Sequence, residues 1–186
     1  QYFFGVSSAH VVQDDATLTL VENVHNASAH PVCGAVCTHE DSHPVITEWT
    51  EFTGTETELN GGNYYLGQDL ELDHTIVIKG EVNLCLNGNT LLVKAQEGQS
   101  YSSGLFVTSG KENILNISDC SQEQTGRICG VENTKKVRCV VVDNVAELNL
   151  YGGNLSNADW AVDLDNRSVF HMYGGTISES NYGVYS

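Results

Sequence analysis

Residues 139–159 and 161–181 are two copies of one sequence unit, and this repeat constrains the fold more than any other feature. The first copy reads CVVVDNVAELNLYGGNLSNAD and the second AVDLDNRSVFHMYGGTISESN, so the offset between them is 161 − 139 = 22. A third copy starts with Val184 beneath Val162. A fixed period of about 20 to 25 residues is the length of one solenoid coil, whose apolar side is buried only when neighbouring coils stack on it.

Large apolar residues recur at every second position within each copy, notably in residues 146–151 and 168–173. This is the period of a pleated strand and not of a helix. Short apolar runs at both ends of each copy supply a second and a third strand, separated by Asp-Asn and Gly-Gly corners. The pattern predicts an all-β fold, a right-handed parallel β-helix with coils of about 22 residues. A leucine-rich repeat has a similar period, but its Leu-x-x-Leu-x-Leu frame and helical segment are absent.

Two earlier segments carry the same frame. Residues 84–91 overlay residues 148–155, and residues 115–120 overlay residues 148–153, so at least four coils are visible. The residues between Cys120 and Cys139 are interpreted as an excursion from the coil.

The N-terminal part differs in composition from these coils. Residues 16–21 alternate as a strand, which we expect to pair with or cap the first coil, because an uncovered solenoid end exposes core and backbone edge. We therefore divide the chain into residues 1–58, an N-terminal strand and a Cys/His-rich cap, and residues 59–186, the β-helix.

The charge balance excludes two classes of partner. Eight Lys and Arg residues stand against 24 Asp and Glu residues, giving a formal net charge of −16. Without a basic stripe to neutralise phosphates, neither nucleic acid nor an anionic membrane surface is an expected partner. No apolar run approaches the roughly 18 residues of a membrane span, so we expect no membrane insertion. The acidic, Asn-, Gly- and Thr-rich β composition predicts an extracellular protein.

A Cys/His cluster, HPVCGAVCTHEDSH, is the densest chemical motif in the chain. Cys33, Cys37, His43 and either His30 or His39 could place two sulfur and two nitrogen ligands around a tetrahedral structural zinc. The alternative is a Cys33–Cys37 disulfide in an oxidising compartment, with solvated histidines. A catalytic zinc is disfavoured, because no His-Glu-x-x-His pattern is present.

The order of motifs carries a resemblance. HPVCGAVCTHEDSH, EWTEF, GGNYYLGQDLEL, EVNLCLNGNTL, LNLYGG and HMYGGTIS follow one another over about residues 29–186. This order resembles a Cys/His-rich segment followed by pectate-lyase-like β-helix repeats in large secreted or wall-attached surface proteins of gut Firmicutes. The resemblance implies a bacterial surface protein whose β-helix continues beyond Ser186 in its parent, and it implies no particular chemistry.

Four further thiols allow two interpretations. A Cys120–Cys129 disulfide would close the excursion and contribute about 2 to 3 kcal/mol by restricting the unfolded chain. Alternatively these two residues, Cys85 and Cys139 are free thiols that are buried as small apolar side chains.

Three carboxyl groups are the candidates for catalysis. Asp143 and Asp165 occupy equivalent positions one coil apart, and Asp163 lies two positions before Asp165 on the same face. Stacked strands are about 4.8 Å apart, which suits a pair of glycosidase carboxylates. An Asp-Asn corner is more often a turn device, because both side chains bond their own backbone. Calcium is a further candidate ion for such oxygen ligands.

Aromatic residues are the candidates for ligand binding. Tyr151 and Tyr173 are equivalent in the repeat, and the other aromatic candidates are Tyr64, Tyr65, Trp160, Tyr182 and Tyr185. We predict a non-catalytic surface module for adhesion, with a glycan or glycoprotein as partner. The alternatives are part of a carbohydrate-active lyase or hydrolase, and a purely structural stalk; the oligomeric state is left open.

Overall fold

The computed structural model describes residues 17–20, 48–121, 123–131 and 136–186. Within these ranges the protein is all-β and contains no helix, and hence no helix that could cross a membrane. The strands are β1 (Thr17–Leu20), β2 (Thr50–Phe52), β3 (Glu58–Leu66), β4 (Leu70–Leu72), β5 (Ile76–Cys85), β6 (Thr90–Val93), β7 (Ser102–Val107), β8 (Ile114–Ser118), β9 (Arg127–Gly130), β10 (Val137–Val142), β11 (Glu147–Leu150), β12 (Asn154–Ser156), β13 (Trp160–Leu164), β14 (Val169–Met172), β15 (Thr176–Ser178) and β16 (Tyr182–Tyr185).

These strands form two sheets, in which the described strand pairs are parallel. The small sheet has the order β15-β12-β9-β6-β4. The large sheet has two arms that meet at the long strand β5, which continues through a positive φ of 67° at Gly80. The first arm is β5-β7-β10-β13-β16 and the second arm is β5-β8-β11-β14-β1, while β3 pairs with β2 and with both halves of β5. The predicted all-β, parallel architecture is confirmed.

The chain visits the first arm, the second arm and the small sheet in a fixed order. It does so through β7, β8 and β9, then β10, β11 and β12, then β13, β14 and β15. The offset predicted from the repeat is the observed register in all three places. Val140 pairs with Val162, Asn149 pairs with His171, and Leu155 pairs with Ile177.

The core lies between the arms and the small sheet. Its buried apolar side chains form one cluster in which equivalent positions of successive strands lie in register. The second arm supplies two such columns, which are Val82, Leu115, Leu148 and Phe170, and Leu84, Ile117, Leu150 and Met172. Burial of an aliphatic side chain contributes about 1.5 to 3 kcal/mol, so these columns hold successive strands together.

A ladder of asparagines runs along β3 and the second arm, at the sequence position between these two columns and therefore on the opposite face of the strands. Nδ2 of Asn83 donates to Oδ1 of Asn63 at 2.7 Å, Nδ2 of Asn116 to Oδ1 of Asn83 at 2.8 Å, and Nδ2 of Asn149 to Oδ1 of Asn116 at 2.9 Å. The next register position is His171. In the described residues, Oδ1 of Asn149 and Nδ1 of His171 are buried without a hydrogen-bond partner, so the ladder ends there.

Two corners between the first and second arms repeat one turn. Oδ1 of Asp143 accepts from the amide of Asn144, and Oδ1 of Asp165 accepts from the amide of Asn166, each at 2.8 Å. The residue two positions after each aspartate has a positive φ, 57° at Val145 and 61° in the equivalent Arg167. The Asp-Asn pairs therefore build turns, as their repeated position indicates.

Three details differ from the sequence predictions. Leu84 lies in register with Leu150, whereas the sequence alignment placed it beside Leu148. A shift by two positions keeps every side chain on its face, so the alternation of apolar residues cannot detect it. Part of the predicted excursion is strand β9, which pairs with β6 and β12. Strand β1 pairs with β14, the last strand of the repeat in the second arm, and not with the first strands of the sheet; it covers the edge of β14 that faces away from β11.

Candidate ligand-binding groove

Two rows of side chains face outward from the first arm. The arm buries the residues between them, such as Leu105, Val140 and Val162. Strand register places equivalent residues of successive strands side by side. The rows are Ser103, Arg138, Trp160 and Tyr182, and Phe106, Val141, Asp163 and Tyr185.

These rows and the neighbouring corners enclose a groove of about 460 Å³. We call Trp160 and Tyr185 its aromatic side, and Asp143, Asp165 and Asn166 of the Asp-Asn corners its corner side. The lining residues are Phe106, Arg138, Val141, Asp143, Trp160, Asp163, Leu164, Asp165, Asn166, Tyr185 and Ser186.

An aromatic column borders the groove. The ring of Trp160 stacks on Tyr101 with centroids 4.7 Å apart and on Tyr185 with centroids 4.5 Å apart. Tyr182 approaches Tyr185 edge-on at 5.8 Å. Because Trp160 shares its faces with two other rings, a ligand would contact the ring edges and the outer tyrosines. Tyr101, Tyr182 and Tyr185 are 37% to 39% exposed, which is unusual for large apolar residues of this protein.

An ion pair joins the aromatic column to the acidic side. Nη1 of Arg138 donates to Oδ2 of Asp163 at 2.8 Å, and the guanidinium carbon lies 5.6 Å and 5.7 Å from the ring centroids of Tyr101 and Trp160. Burial raises the pKa of Asp163, the hydrogen bond and charge of Arg138 oppose this rise, and the nearby charge of Asp165 adds to it. Nε of Arg138 is buried without a hydrogen-bond partner among the described residues.

Comparisons with known proteins give no relative through which the groove could be interpreted. The chain matches no family model, no curated protein and no solved structure. The groove is therefore interpreted from its own residues.

Several predicted site residues come together in this groove. Trp160 and Tyr185 were predicted as ligand-binding residues, and Asp143, Asp163 and Asp165 as weak catalytic candidates; all five line the groove. Tyr182, also predicted, lies next to it against Tyr185.

Tyr151 and Tyr173 form a separate ring pair. Their centroids are 4.8 Å apart and their planes differ by 6°, and they follow β11 and β14 of the second arm. Burial raises the pKa of Tyr151 to about 12, with smaller contributions from the charges of Tyr173, Glu147 and Glu81. Both tyrosines are half-buried, and neither lines the groove.

The other predicted tyrosines also lie elsewhere. Tyr64 and Tyr65 belong to β3, and the hydroxyl of Tyr64 donates to the carbonyl oxygen of Gly61 at 3.0 Å. Tyr65 pairs with Cys85 in the neighbouring strand and is partly exposed.

No disulfide is formed by the described cysteines, namely Cys85, Cys120, Cys129 and Cys139. Cys120 and Cys129 are thus not bridged in this structure, and their oxidation stays a prediction. Cys129 is buried within β9 of the small sheet, whereas Cys120 follows β8 of the large sheet and is only partly buried. Burial raises the pKa of Cys139, and its Sγ donates to the carbonyl oxygen of Ile128 at 3.4 Å, so this thiol is unreactive.

The predicted zinc ligands lie outside the described residues; they are His30, Cys33, Cys37, His39 and His43. Among the residues that the structure does describe, no three His, Cys, Asp or Glu side chains are grouped as a metal site. Zinc and calcium both stay predictions.

Sequence reasoning missed Tyr101, Phe106 and Arg138. The sequence does carry a signal for Arg138. The offset between Arg138 and its strand partner Trp160 is 160 − 138 = 22, so this pair extends the repeat by one position before its first aligned residues. Tyr101 and Phe106 belong to strand β7 and its approach. The offset between β7 and β10 is 141 − 106 = 35, so these two aromatic residues fall outside the period of the repeat.

Proposed function

We propose that the two sheets form a right-handed parallel β-helix, in which each turn contributes one strand to each arm and one to the small sheet. The repeated visiting order and the uniform register of the last coils support this arrangement. Connections between parallel strands of one sheet are right-handed in about 98% of cases, which supports the hand. A crystal structure with left-handed connections, or with these strands paired in another order, would contradict the proposal.

The groove supports non-catalytic binding of a glycan or glycoprotein as the function of this module. The observation that carries the proposal is the combination, in one open groove, of aromatic rings with hydrogen-bonding side chains. Sugar rings present C–H faces to aromatic surfaces and hydroxyl groups to carboxylates, amides and guanidinium groups. Trp160, Tyr185, Arg138, Asp163 and Asn166 offer both kinds of contact within about 460 Å³.

The carboxylates favour binding over hydrolysis. A glycosidase needs one carboxyl group that donates a proton and a second that acts as nucleophile or base. Asp163 is paired with Arg138 at 2.8 Å, while Asp143 and Asp165 each use Oδ1 to hold a turn amide. These contacts give Asp163 and one oxygen of each corner aspartate a structural role, and they leave Oδ2 of Asp143 and Asp165 to accept hydrogen bonds from a bound ligand.

An extracellular location and attachment to a bacterial surface belong to the same proposal. They are supported by the net charge of −16 and by the resemblance of the motif order to bacterial surface proteins. A surface-attached module that binds glycans serves adhesion, so adhesion is the process that we propose for it. A structural zinc site in the N-terminal segment is compatible with this proposal but is not needed for it.

The binding test starts with neutral polysaccharides and immobilised glycoproteins, assayed by affinity electrophoresis and then by calorimetry. Tyr185→Ala should weaken the Kd at least about tenfold, because truncating an aromatic hot-spot contact typically costs about 2 kcal/mol or more, and about 1.4 kcal/mol corresponds to tenfold. Tyr185→Phe should retain most of the affinity. Tyr65→Ala, which removes a partly exposed tyrosine outside the groove, is the matched control and should bind like the wild type.

Two other outcomes would replace the proposal. Release of reducing or unsaturated sugar ends, abolished by Asp163→Asn or Asp165→Asn, would identify the alternative carbohydrate-active enzyme. Absence of binding to every glycan and glycoprotein, with a folded protein, would leave the structural stalk.

A further inference from the structure

The groove carries more negative than positive charge. Among the described residues, its charged side chains are Asp143, Asp163, Asp165 and one cation, Arg138, so the formal sum is 1 − 3 = −2. Arg138 and Asp163 neutralise each other through their 2.8 Å ion pair. The hydrogen bonds that the structure gives to Asp143 and Asp165 come from neutral backbone amides, at Asn144 and Asn166. The uncompensated charge therefore sits on the corner side of the groove.

The aromatic side already accommodates a cation. The guanidinium of Arg138 lies over the rings of Tyr101 and Trp160 while it donates to Asp163. Ring faces attract cations, and the attraction grows when water is excluded. Arg138 is thus held by aromatic rings and a carboxylate. A cationic ligand would make the same kind of contacts with Tyr185 and the two corner aspartates.

We infer that the groove selects glycans that carry protonated amino groups, such as oligomers of glucosamine, over neutral glycans. The inference rests on the proposed function. Successive strands are about 4.8 Å apart, so the equivalent Asp143 and Asp165 can both approach one ammonium group. The partly exposed ring of Tyr185 can contact the apolar face of the sugar. Anionic sugars are disfavoured, since the cation that lines the groove within the described part of the chain is committed to Asp163.

The experiment uses β-1,4-linked oligomers of equal length that differ in one substituent. Glucosamine oligomers carry ammonium groups, N-acetylglucosamine and glucose oligomers are neutral, and glucuronate oligomers carry carboxylates. The Kd for each is measured by calorimetry at a pH that protonates the amines and again at a pH where they are neutral. Asp143→Asn and Asp165→Asn retain an Oδ1 for the turn amide, and Asp159→Asn, outside the groove, is the matched control.

We expect the wild type to bind the charged glucosamine oligomer about tenfold tighter than the glucose oligomer, with about threefold from each carboxylate. Each groove variant should lose its threefold share, the control should lose nothing, and added salt should reduce the preference because it screens exposed charges. Equal Kd values for the amino and neutral oligomers would overturn this inference and leave glycan binding intact. Failure of every oligomer to bind would overturn the inference, and the proposed function would fall with it only if the polysaccharides and glycoproteins of the binding test also fail to bind.

Discussion

Replacing Asn116 with alanine tests whether the asparagine ladder stabilises the second arm. Asn116 donates to Asn83 at 2.8 Å and accepts from Asn149 at 2.9 Å, with a longer third contact of 3.3 Å to Oε1 of Glu81. Its side chain is only 7% exposed, so water replaces these partners poorly. A hydrogen bond contributes about 1 kcal/mol net to stability, and the two short bonds together give about 2 kcal/mol.

The assay is thermal unfolding followed by circular dichroism, with urea titration as a second measure. For a chain of this size about 1 kcal/mol corresponds to about 2 to 4 °C, so Asn116→Ala should lower Tm by about 4 to 8 °C. Asn60→Ala is the control, because Asn60 is exposed and donates to Glu58, another exposed side chain. The control should shift Tm by less than about 2 °C. If both variants shift Tm by the same small amount, the ladder does not stabilise the fold and the reasoning fails.

Three further predictions concern a turn, a titrating histidine and the cysteine cluster. In urea titration, Gly175→Ala should lower the free energy of unfolding by about 2 kcal/mol more than Gly98→Ala does. The φ values of 76° and 79° give both variants equal backbone strain, but the new Cβ at Gly175 would lie 2.5 Å from a backbone oxygen, while Gly98 has open space. Equal losses in the two variants would contradict this. The pKa of His74 is raised, chiefly by its hydrogen bond to Asp73, so its stabilising contribution is complete below the unfolded pKa and is lost as pH rises through the folded value. His74→Gln should therefore lower Tm more at about pH 5.5 than at about pH 8.5, and a pH-independent difference would exclude this linkage. Protein purified without added metal should contain zinc by mass spectrometry, lost in Cys33→Ser together with thermal stability, whereas a zinc-free protein with two thiols missing would support the disulfide.

The repeat made the parallel strands and their faces predictable, while the exact register was predictable only where the period was uniform. Alternation fixes which side of a strand is buried, so Leu148 and Leu150 could be assigned to the core from sequence. It does not distinguish shifts by two positions, and Leu84 was aligned two positions away from its true partner.

Only some residues of the groove could be predicted from the sequence, for a related reason. Trp160 and Asp163 lie within or beside the copied unit, and the positions of their neighbours in the next strand follow from the repeat. Tyr101 comes from a part of the chain with longer connections, and stacking of its ring on Trp160 depends on the three-dimensional path of those connections. The ion pair of Arg138 with Asp163 joins residues 25 positions apart, a separation that is not one period, so alignment of equivalent positions does not find it.

The pairing of β1 with β14 has a consequence for the order of folding. Within the repeat, neighbouring strands are one period apart in the chain, so they can find each other by closing short loops. The separation of Thr17 and Val169 is 169 − 17 = 152, and closing that loop costs about 1.7 kcal/mol more in chain entropy than closing a loop of one period. The repeat can therefore assemble progressively, strand upon strand, before β1 docks. On unfolding we expect β1 to detach first, which would expose the edge of β14 while the remaining sheets are still intact.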